Sequence, residues 1–275
     1  MALETTIRAK TTLQVSGEVS GLIRGHYEKV KTAKKEGKPV VWAFGLIPRE
    51  IFNAMDVPVI MLEHLPGMLA AKQLSGKYCQ VAEEKGFARD LCAYHTCFLG
   101  CALSDELDPY TEKRFAAPDL IVASNFPCNS ESKSFLYLAE HFNCPCYFVD
   151  APINSWEGGV KDYAVEYHAA NLKGLINFLE KHGYQLNNDK LAESVELSRQ
   201  LLVLWNELVE CRKVIPTPMG AVDAYVSLFP LFQLPGTRTA VDFYQRLLDE
   251  VKQRVKSKAG VIDEEKFRLL WLGIP

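Results

Sequence analysis

The chain has 275 residues, enough for one large domain or two of ordinary size. Its formal net charge of −3 gives no general affinity for nucleic acid or anionic membrane, and we expect neither as a partner. The N-terminal residues lack an apolar signal core, and no apolar run is long enough to cross a bilayer. We therefore predict a cytoplasmic protein whose cysteines stay reduced.

The chain begins with a predicted helix and a β-α-β unit. Apolar residues at helical spacing predict a helix over Glu18–Glu36, and Gly37-Lys-Pro39 ends it. Val40–Phe44 and Val57–Met61 are apolar runs typical of strands buried on both faces, and Pro48–Met55 predicts a short helix between them. Parallel strands joined in this way end at the same edge of a sheet, where open α/β folds bind their ligands.

The following elements extend the same sheet. In chain order we predict a helix over Met68–Glu84, a strand over Leu120–Ala123, a helix over Lys133–Phe142 and a strand over Tyr147–Val149 that ends at Asp150. The predicted fold class is α/β, with a parallel sheet and flanking helices of Rossmann or flavodoxin type. We assign this domain to residues 1–155.

Residues 156–262 differ in character and predict a helical region. Apolar residues at a 3.6-residue period mark helices over Val165–Leu179, Leu197–Cys211 and Ala240–Val255. Within residues 263–275, Leu269–Leu272 predicts a strand. It either adds to the edge of the sheet or is the first strand of a second α/β domain whose remainder lies beyond residue 275. We favour the second domain, since parallel strands come with crossover helices.

Seven of the eight cysteines lie between Cys79 and Cys146, several of them near predicted strand ends. Grouped thiols in a reducing compartment indicate a metal or cluster site before they indicate disulfides. The spacing of Cys92, Cys97 and Cys101 matches neither a zinc pair nor the common ferredoxin motifs. Packing is the favoured interpretation for the cysteines within helices or at a strand entry, which are Cys79, Cys97, Cys101, Cys144, Cys146 and Cys211.

Cys92 and Cys128 have a different setting. Arg89-Asp90 precedes Cys92, and small polar residues flank Cys128 on both sides. Backbone and side-chain N–H groups in such turns stabilise a thiolate or a cluster sulfur. These two cysteines are therefore the candidate ligands.

Glu63 and His64 directly follow the second predicted strand. They are either a solvated loop pair or, at the ligand-binding edge, groups placed for proton transfer. We interpret the other histidines as surface or packing residues; they are His26, His95, His141, His168 and His182. The chain has no glycine-rich phosphate fingerprint, so we do not expect it to hydrolyse ATP itself.

Taken together, these residues resemble the family of iron–sulfur subunits that contains 2-hydroxyacyl-CoA dehydratases and benzoyl-CoA reductases. The resemblance runs through nearly the whole chain. Its motifs are Gly45-Leu-Ile-Pro-Arg-Glu50, Asp56-Val-Pro58, Ala82-Glu-Glu-Lys-Gly86, Asp90-Leu-Cys-Ala-Tyr94, Gly100, Pro118–Val122, Ser124-Asn125, Cys128-Asn129, Asp150-Ala-Pro152, Pro218, Asp223-Ala224 and Lys266-Phe-Arg268. Thr96 and Phe98 depart from it, because the family commonly has a basic and a polar or acidic residue there.

The resemblance implies a [4Fe–4S] cluster held by three cysteines. Two of them correspond to Cys92 and Cys128, and the third is expected beyond residue 275 in the second α/β domain. Glu63 stands where the family offers an acid near the substrate thioester. The resemblance also implies that a separate ATP-hydrolysing activator injects one electron into the cluster, which passes it to the carbonyl of an acyl-CoA.

The implied function is that of an oxygen-sensitive 2-hydroxyacyl-CoA dehydratase subunit, a lyase that eliminates water through a ketyl radical. Its implied partners are an acyl-CoA substrate, a homologous second subunit in a heterodimer, and the activator. Two alternatives stay open: a subunit of benzoyl-CoA reductase or of a double-cubane-type reductase, and a non-catalytic partner subunit.

Overall fold

The computed structural model describes residues 11–45, 47–104, 116–152, 159–262 and 264–270, without the side chains of Asn129 and Glu131. Contacts divide the chain into two compact units. We call Arg24–Leu191 the sheet unit, and Met1–Ile23 together with Ala192–Pro275 the helical unit. No helix in the described ranges is both long and apolar enough to span a membrane.

The sheet unit is built on a parallel sheet, which confirms the predicted α/β class. Its strands in the described part of the chain are β1 (Val41–Ala43), β2 (Val59–Met61), β3 (Leu120–Ser124) and β4 (Cys146–Val149), in the order β2-β1-β3-β4. Val41 pairs with Val59 on one side and with Leu120 on the other. The residues of β1, β2 and β3 are all buried, as expected for strands covered on both faces.

Seven helices lie wholly or mostly in the described part of this unit. They are α1 (Val19–Lys35), α2 (Arg49–Ala54), α3 (His64–Ala71), α4 (Ser75–Glu84), α5 (Ala93–Leu103), α6 (Asn129–His141) and α7 (Asp162–Lys181). The single helix predicted over Met68–Glu84 is wrong. Gln73 has a φ of +60°, and this left-handed residue separates α3 from α4.

The two faces of the sheet are covered by different helices. On one face, Leu175 and Leu179 of α7 join the apolar core formed by the strands and α2. We predicted this helix as part of the helical region, but it packs with the sheet. On the other face, the ring of Phe44 lies 5.0 Å from Phe135 of α6 and 5.8 Å from Phe98 of α5, centroid to centroid. These aromatic contacts pack the middles of α5 and α6 against the end of β1.

A glycine sets the close approach of α4 and α5. A Cβ added to Gly100 would lie 1.7 Å from the carbonyl oxygen of Tyr78, which no side chain tolerates. Gly100 is one of the residues that carry the family resemblance, and its role here is helix packing.

The helical unit contains α8 (Asn188–Cys211, from Ala192 onward), α9 (Ala221–Val226), α10 (Leu228–Gln233) and α11 (Arg238–Ser257). Its N-terminal segment is held by a buried carboxylate. Asp223 accepts hydrogen bonds from the backbone N–H of Thr12 (2.9 Å) and Leu13 (3.1 Å), and from the Thr12 hydroxyl (2.8 Å). Asp223 also belongs to the motifs of the family resemblance, and here it stabilises the fold by holding the N-terminal segment in place.

The last described segment is tied to the end of α8. Arg268 donates to the carbonyl oxygens of Arg212, Lys213 and Val214, which are acceptors that the helix itself leaves free. Leu269 and Leu270 are exposed and are not in a strand; the other two residues of the strand predicted here lie outside the described residues.

Candidate functional site

The candidate site lies where the strands of the sheet end. Gly45 follows β1, Glu63 lies between β2 and α3, and Asn125 to Cys128 connect β3 to α6. Gly45 has a φ of +99°, and a Cβ on it would lie 2.7 Å from the carbonyl oxygen of Phe126. The exits of β1 and β3 are therefore in direct contact, and this contact requires a glycine.

Cys128 is the residue immediately before α6. Its Sγ lies 3.5 Å from Nε2 of His95, which belongs to the first turn of α5. His95 is buried, and its ring packs against Phe44 with centroids 5.4 Å apart. A helix N-terminus presents backbone N–H groups and a partial positive charge, and both favour a thiolate at this position.

Cys92 has the same position relative to α5, and its residue is exposed. The N–H and the hydroxyl of Thr96 both donate to the Cys92 carbonyl oxygen, at 3.0 and 3.1 Å. His95 follows Cys92 by three residues, a rise of about 5 Å along a helix. Since His95 also contacts Cys128, the helices that begin after the two candidate ligands start beside each other.

Two thiols at helix N-termini suit part of an iron–sulfur ligand set. Among the described residues, no group of three or more histidine, cysteine, aspartate or glutamate side chains is arranged to hold a metal ion. Cys92 and Cys128 therefore fit two positions of a cluster site, and the described residues do not supply a third.

Glu63 is attached to this edge by a short hydrogen bond. Its Oε1 accepts the N–H of Gly45 at 2.6 Å, while Oε2 is buried without a hydrogen-bond partner among the described residues. Burial raises the pKa of Glu63 to about 7. The interpretation of Glu63 as a solvated loop residue is wrong, and its carboxyl group is able to exchange a proton near neutral pH.

Buried basic side chains accompany Glu63, and the sequence analysis missed them. Arg49 is only 6% exposed, burial lowers its pKa to about 10, and Glu63 counteracts this shift. Its Nε and Nη1 have no hydrogen-bond partner in the described ranges. Burial, followed by the charge of Arg49, lowers the pKa of His26 to about 3, so His26 is neutral. Arg49 belongs to the Gly45–Glu50 motif, and this motif was the sequence signal that could have identified Arg49 as a candidate site residue.

His64, the neighbour of Glu63 in the sequence, makes a contact of its own. The hydroxyl of Tyr27 lies 3.4 Å from its Nδ1, and this contact joins α1 to α3.

The loop that carries Cys128 is clamped to the end of β4. The Nδ2 of Asn125 donates to Asp150 Oδ1 (2.5 Å) and to the Ala151 carbonyl (3.0 Å), and its Oδ1 accepts the Ala151 N–H (2.7 Å). Tyr167 of α7 donates to the other oxygen of Asp150 at 2.6 Å. Asn125 and Asp150 belong to the motifs of the family resemblance, but the sequence did not predict the hydrogen bonds that join them.

The remaining thiols of this unit behave as packing groups, as we predicted for them. Cys97 and Cys101 are buried in α5, and burial raises the pKa of Cys97 to about 12. Burial likewise raises the pKa of Cys144 and of Cys146 to about 11. Such thiols stay protonated at neutral pH, unlike metal ligands.

Cys92, Cys128 and Glu63 thus lie in an α/β protein beside the edge where the parallel strands end, the edge at which open α/β sheets bind their ligands. The model of a family described as "2-hydroxyglutaryl-CoA dehydratase, D-component" matches residues 45–275. The chain belongs to this family.

Curated relatives include subunits of several enzymes. The chain is 26% identical over 260 residues to the (R)-2-hydroxyisocaproyl-CoA dehydratase alpha subunit of Clostridioides difficile, covering 94% of this chain and 63% of the relative. It is 27% identical over 244 residues to the (R)-phenyllactyl-CoA dehydratase alpha subunit of Clostridium sporogenes, covering 88% and 59%. A benzoyl-CoA reductase subunit of Thauera aromatica is 27% identical over 291 residues, covering 97% and 65%. The chain thus spans less than two thirds of the length of these relatives.

Proposed function

We propose that this chain is a subunit of an oxygen-sensitive 2-hydroxyacyl-CoA dehydratase in which Cys92 and Cys128 hold a [4Fe–4S] cluster. The observation that carries the proposal is the convergence of α5 and α6, each preceded by one candidate ligand and linked by the contact of His95 with Cys128. In this proposal the third protein ligand comes from outside residues 1–275, as the family resemblance implies.

Bound here, such a cluster would supply one low-potential electron, received from an ATP-hydrolysing activator, to the substrate thioester and would recover it at the end of each turnover. The hydroxyl group would leave as water with a proton lost from the neighbouring carbon, so that the net reaction is an elimination. The chain's own residues have three tasks in this proposal. Cys92 and Cys128, the residues before α5 and α6, supply two of the sulfur ligands. The clamp of Asn125 with Asp150 holds the Cys128 loop, and the aromatic rings on α5 and α6 exclude water beneath the site.

Glu63 is the proposed acid of the substrate site. Its Oε1 is fixed by Gly45, so only Oε2 is free to hold or release a proton towards an acyl-CoA. The pKa of about 7, caused by burial, places proton exchange at this atom within the physiological range. The uneven hydrogen bonding of the two oxygens supports Oε2 as the atom that would carry the proton.

We further propose a homologous second subunit as the partner and the cytoplasm as the compartment. The dehydratase relatives are named as alpha subunits, which supports a multi-subunit enzyme. A benzoyl-CoA reductase subunit is the second candidate, because the relative of that name matches 97% of this chain at 27% identity.

Iron and acid-labile sulfide analysis of the full-length protein, purified anaerobically with its partner, tests the proposal. We expect a [4Fe–4S] stoichiometry. Full occupancy of the partner alone, with no iron on this chain, would leave only the role of a non-catalytic subunit. Turnover of 2-hydroxyacyl-CoA and of benzoyl-CoA, each with activator and ATP, then distinguishes the dehydratase from the reductase.

A further inference from the structure

Two thiols meet where α4 packs against α5. Cys79 is half-buried on α4, and its thiol is hydrogen-bonded to the thiol of Cys97 on α5. Cys79 Sγ also lies 3.7 Å from the carbonyl oxygen of Ala93, which is one turn before Cys97 on the same face of α5. The side chain of Cys79 therefore lies over this face of α5, and its sulfur contacts the sulfur of Cys97.

The backbones of the two helices approach each other closely beside this contact. A Cβ added to Gly100 would lie 1.7 Å from the carbonyl oxygen of Tyr78, the residue before Cys79. Gly100 follows Cys97 by three residues and shares its face of α5. A disulfide needs Cα atoms within about 7 Å of each other, and helix pairs come that close only where small residues let the backbones approach. The contact between α4 and α5 therefore suits a covalent link between the two sulfurs.

The two thiols differ in their access to solvent. Cys97 is only 1% exposed, whereas Cys79 is partly exposed. A dissolved oxidant therefore reaches Cys79 first, and Cys97 reacts only through Cys79. In a reducing compartment, a pair of this kind forms a transient, redox-sensing disulfide and not a permanent one.

We infer that Cys79 and Cys97 are an oxidative modification site, at which hydrogen peroxide forms a disulfide between α4 and α5. The Cys79 sulfur first attacks the peroxide, whose O–O bond breaks, and a sulfenic acid and one water form. The Cys97 sulfur then attacks the sulfenic sulfur. The S–S bond forms, the S–O bond breaks, and the hydroxyl leaves with the proton of the Cys97 thiol as a second water.

The balance of this reaction is complete with peroxide as the oxidant. The two thiols lose two electrons and two protons, and the peroxide is reduced to two waters. A dithiol reductant reverses the change by thiol–disulfide exchange. Neither thiol is a proposed cluster ligand, so the inference does not depend on the proposed function.

Peptide mapping of the metal-free full chain tests the inference. The reduced protein is treated with equimolar hydrogen peroxide, its free thiols are blocked with N-ethylmaleimide, and the digest is analysed by mass spectrometry without reduction. We expect peptides linked through Cys79 and Cys97, and their loss on treatment with dithiothreitol. Cys211 is the control, because it is also half-buried but lies in the helical unit; it should form no disulfide within the chain.

Two variants test whether the link depends on this particular pair. In Cys97→Ser, oxidised Cys79 should stop at the sulfenic acid, which dimedone labels. Cys79→Ser/Gln80→Cys moves the thiol to an exposed position about 100° further around α4, and the link to Cys97 should be lost. Peroxide should also raise the Tm of wild type by about 5 °C, as expected for a disulfide that closes a short loop, and should not raise the Tm of Cys97→Ser.

The absence of a link between Cys79 and Cys97 would overturn the inference, whether Cys79 stays reduced or is oxidised alone. A link that forms only in urea would also overturn it, because the disulfide would then arise from the unfolded chain. If the thiols of Cys92 and Cys128 consume the peroxide first, the same mapping in Cys92→Ser/Cys128→Ser decides the question.

Discussion

The start of α5 and its interior place the same chemical group, a thiol, in opposite settings. Cys92 lies before the first turn, exposed and at the positive end of the helix. Cys97 lies one turn further, buried against α4, and hydrogen-bonds the thiol of Cys79. A shift of five residues thus separates a candidate ligand from a packing residue. Position relative to the helix, and not the number of cysteines, determines which thiols are available for chemistry.

The packing of the interior of α5 against α4 is tested most severely at Gly100. We expect Gly100→Ala to lower the free energy of unfolding by about 3 kcal/mol or more, because its Cβ would lie 1.7 Å from the Tyr78 carbonyl oxygen and force α4 and α5 apart. Urea denaturation measures the change. Gly76→Ala is the matched control, since it also lies in this helix pair but has open space around its Cβ. Equal stability of Gly100→Ala and wild type would refute the close packing.

The chemical role of the sheet edge is tested at Glu63 through the pH dependence of stability. Burial raises its pKa from 4.5 to about 7, so between these values the folded state binds more protons than the unfolded chain. The free energy of unfolding of wild type should therefore fall as pH rises through this window. Glu63→Gln keeps an acceptor for the Gly45 N–H and does not titrate. It should gain about 3 kcal/mol relative to wild type between pH 4.5 and 8.

Chemical denaturation at a series of pH values gives this difference directly. Glu166→Gln, which changes an exposed carboxyl on α7, serves as the control and should follow the wild-type curve. Parallel curves for Glu63→Gln and wild type would show that the Glu63 carboxyl has an ordinary pKa, and its proposed role as a proton donor near neutral pH would be lost.

A smaller effect is expected where the Cys128 loop is clamped. Asn125→Ala removes hydrogen bonds to Asp150 and Ala151 and should destabilise the protein by about 1–2 kcal/mol. It should also speed the alkylation of Cys128 without affecting buried Cys97. Asn206→Ala, on an exposed position of α8, is the control. Wild-type stability together with a wild-type alkylation rate would mean that the clamp does not hold the loop.

Much of the fold follows from local patterns. The apolar runs predicted every strand of the described sheet, and helical periodicity predicted α1, α7, α8 and α11, because both signals depend on residues close together in the chain. The break between α3 and α4 was not predicted, because glutamine rarely adopts the left-handed conformation that Gln73 has here.

The site was predicted only in part, for a physical reason. Cys92, Cys128 and Glu63 were found from turn chemistry, strand ends and the family resemblance. The burial of Arg49 and the contact of His95 with Cys128 depend on residues far apart in sequence, and no local pattern encodes them. His95 was interpreted as a surface or packing residue; it does pack, but its second nitrogen reaches the sulfur.

One measurement tests most directly which of the thiols are cluster ligands. Serine variants at Cys92, Cys128, Cys97 and Cys211 should be purified anaerobically and assayed for iron and for the visible absorption of a [4Fe–4S] cluster. We predict that Cys92→Ser and Cys128→Ser each lose most of the iron with little loss of stability, because both thiols lie outside the packed interior. Cys97→Ser and Cys211→Ser should keep a wild-type iron content. Full iron in Cys92→Ser and Cys128→Ser would contradict the assignment of these two residues as the ligands.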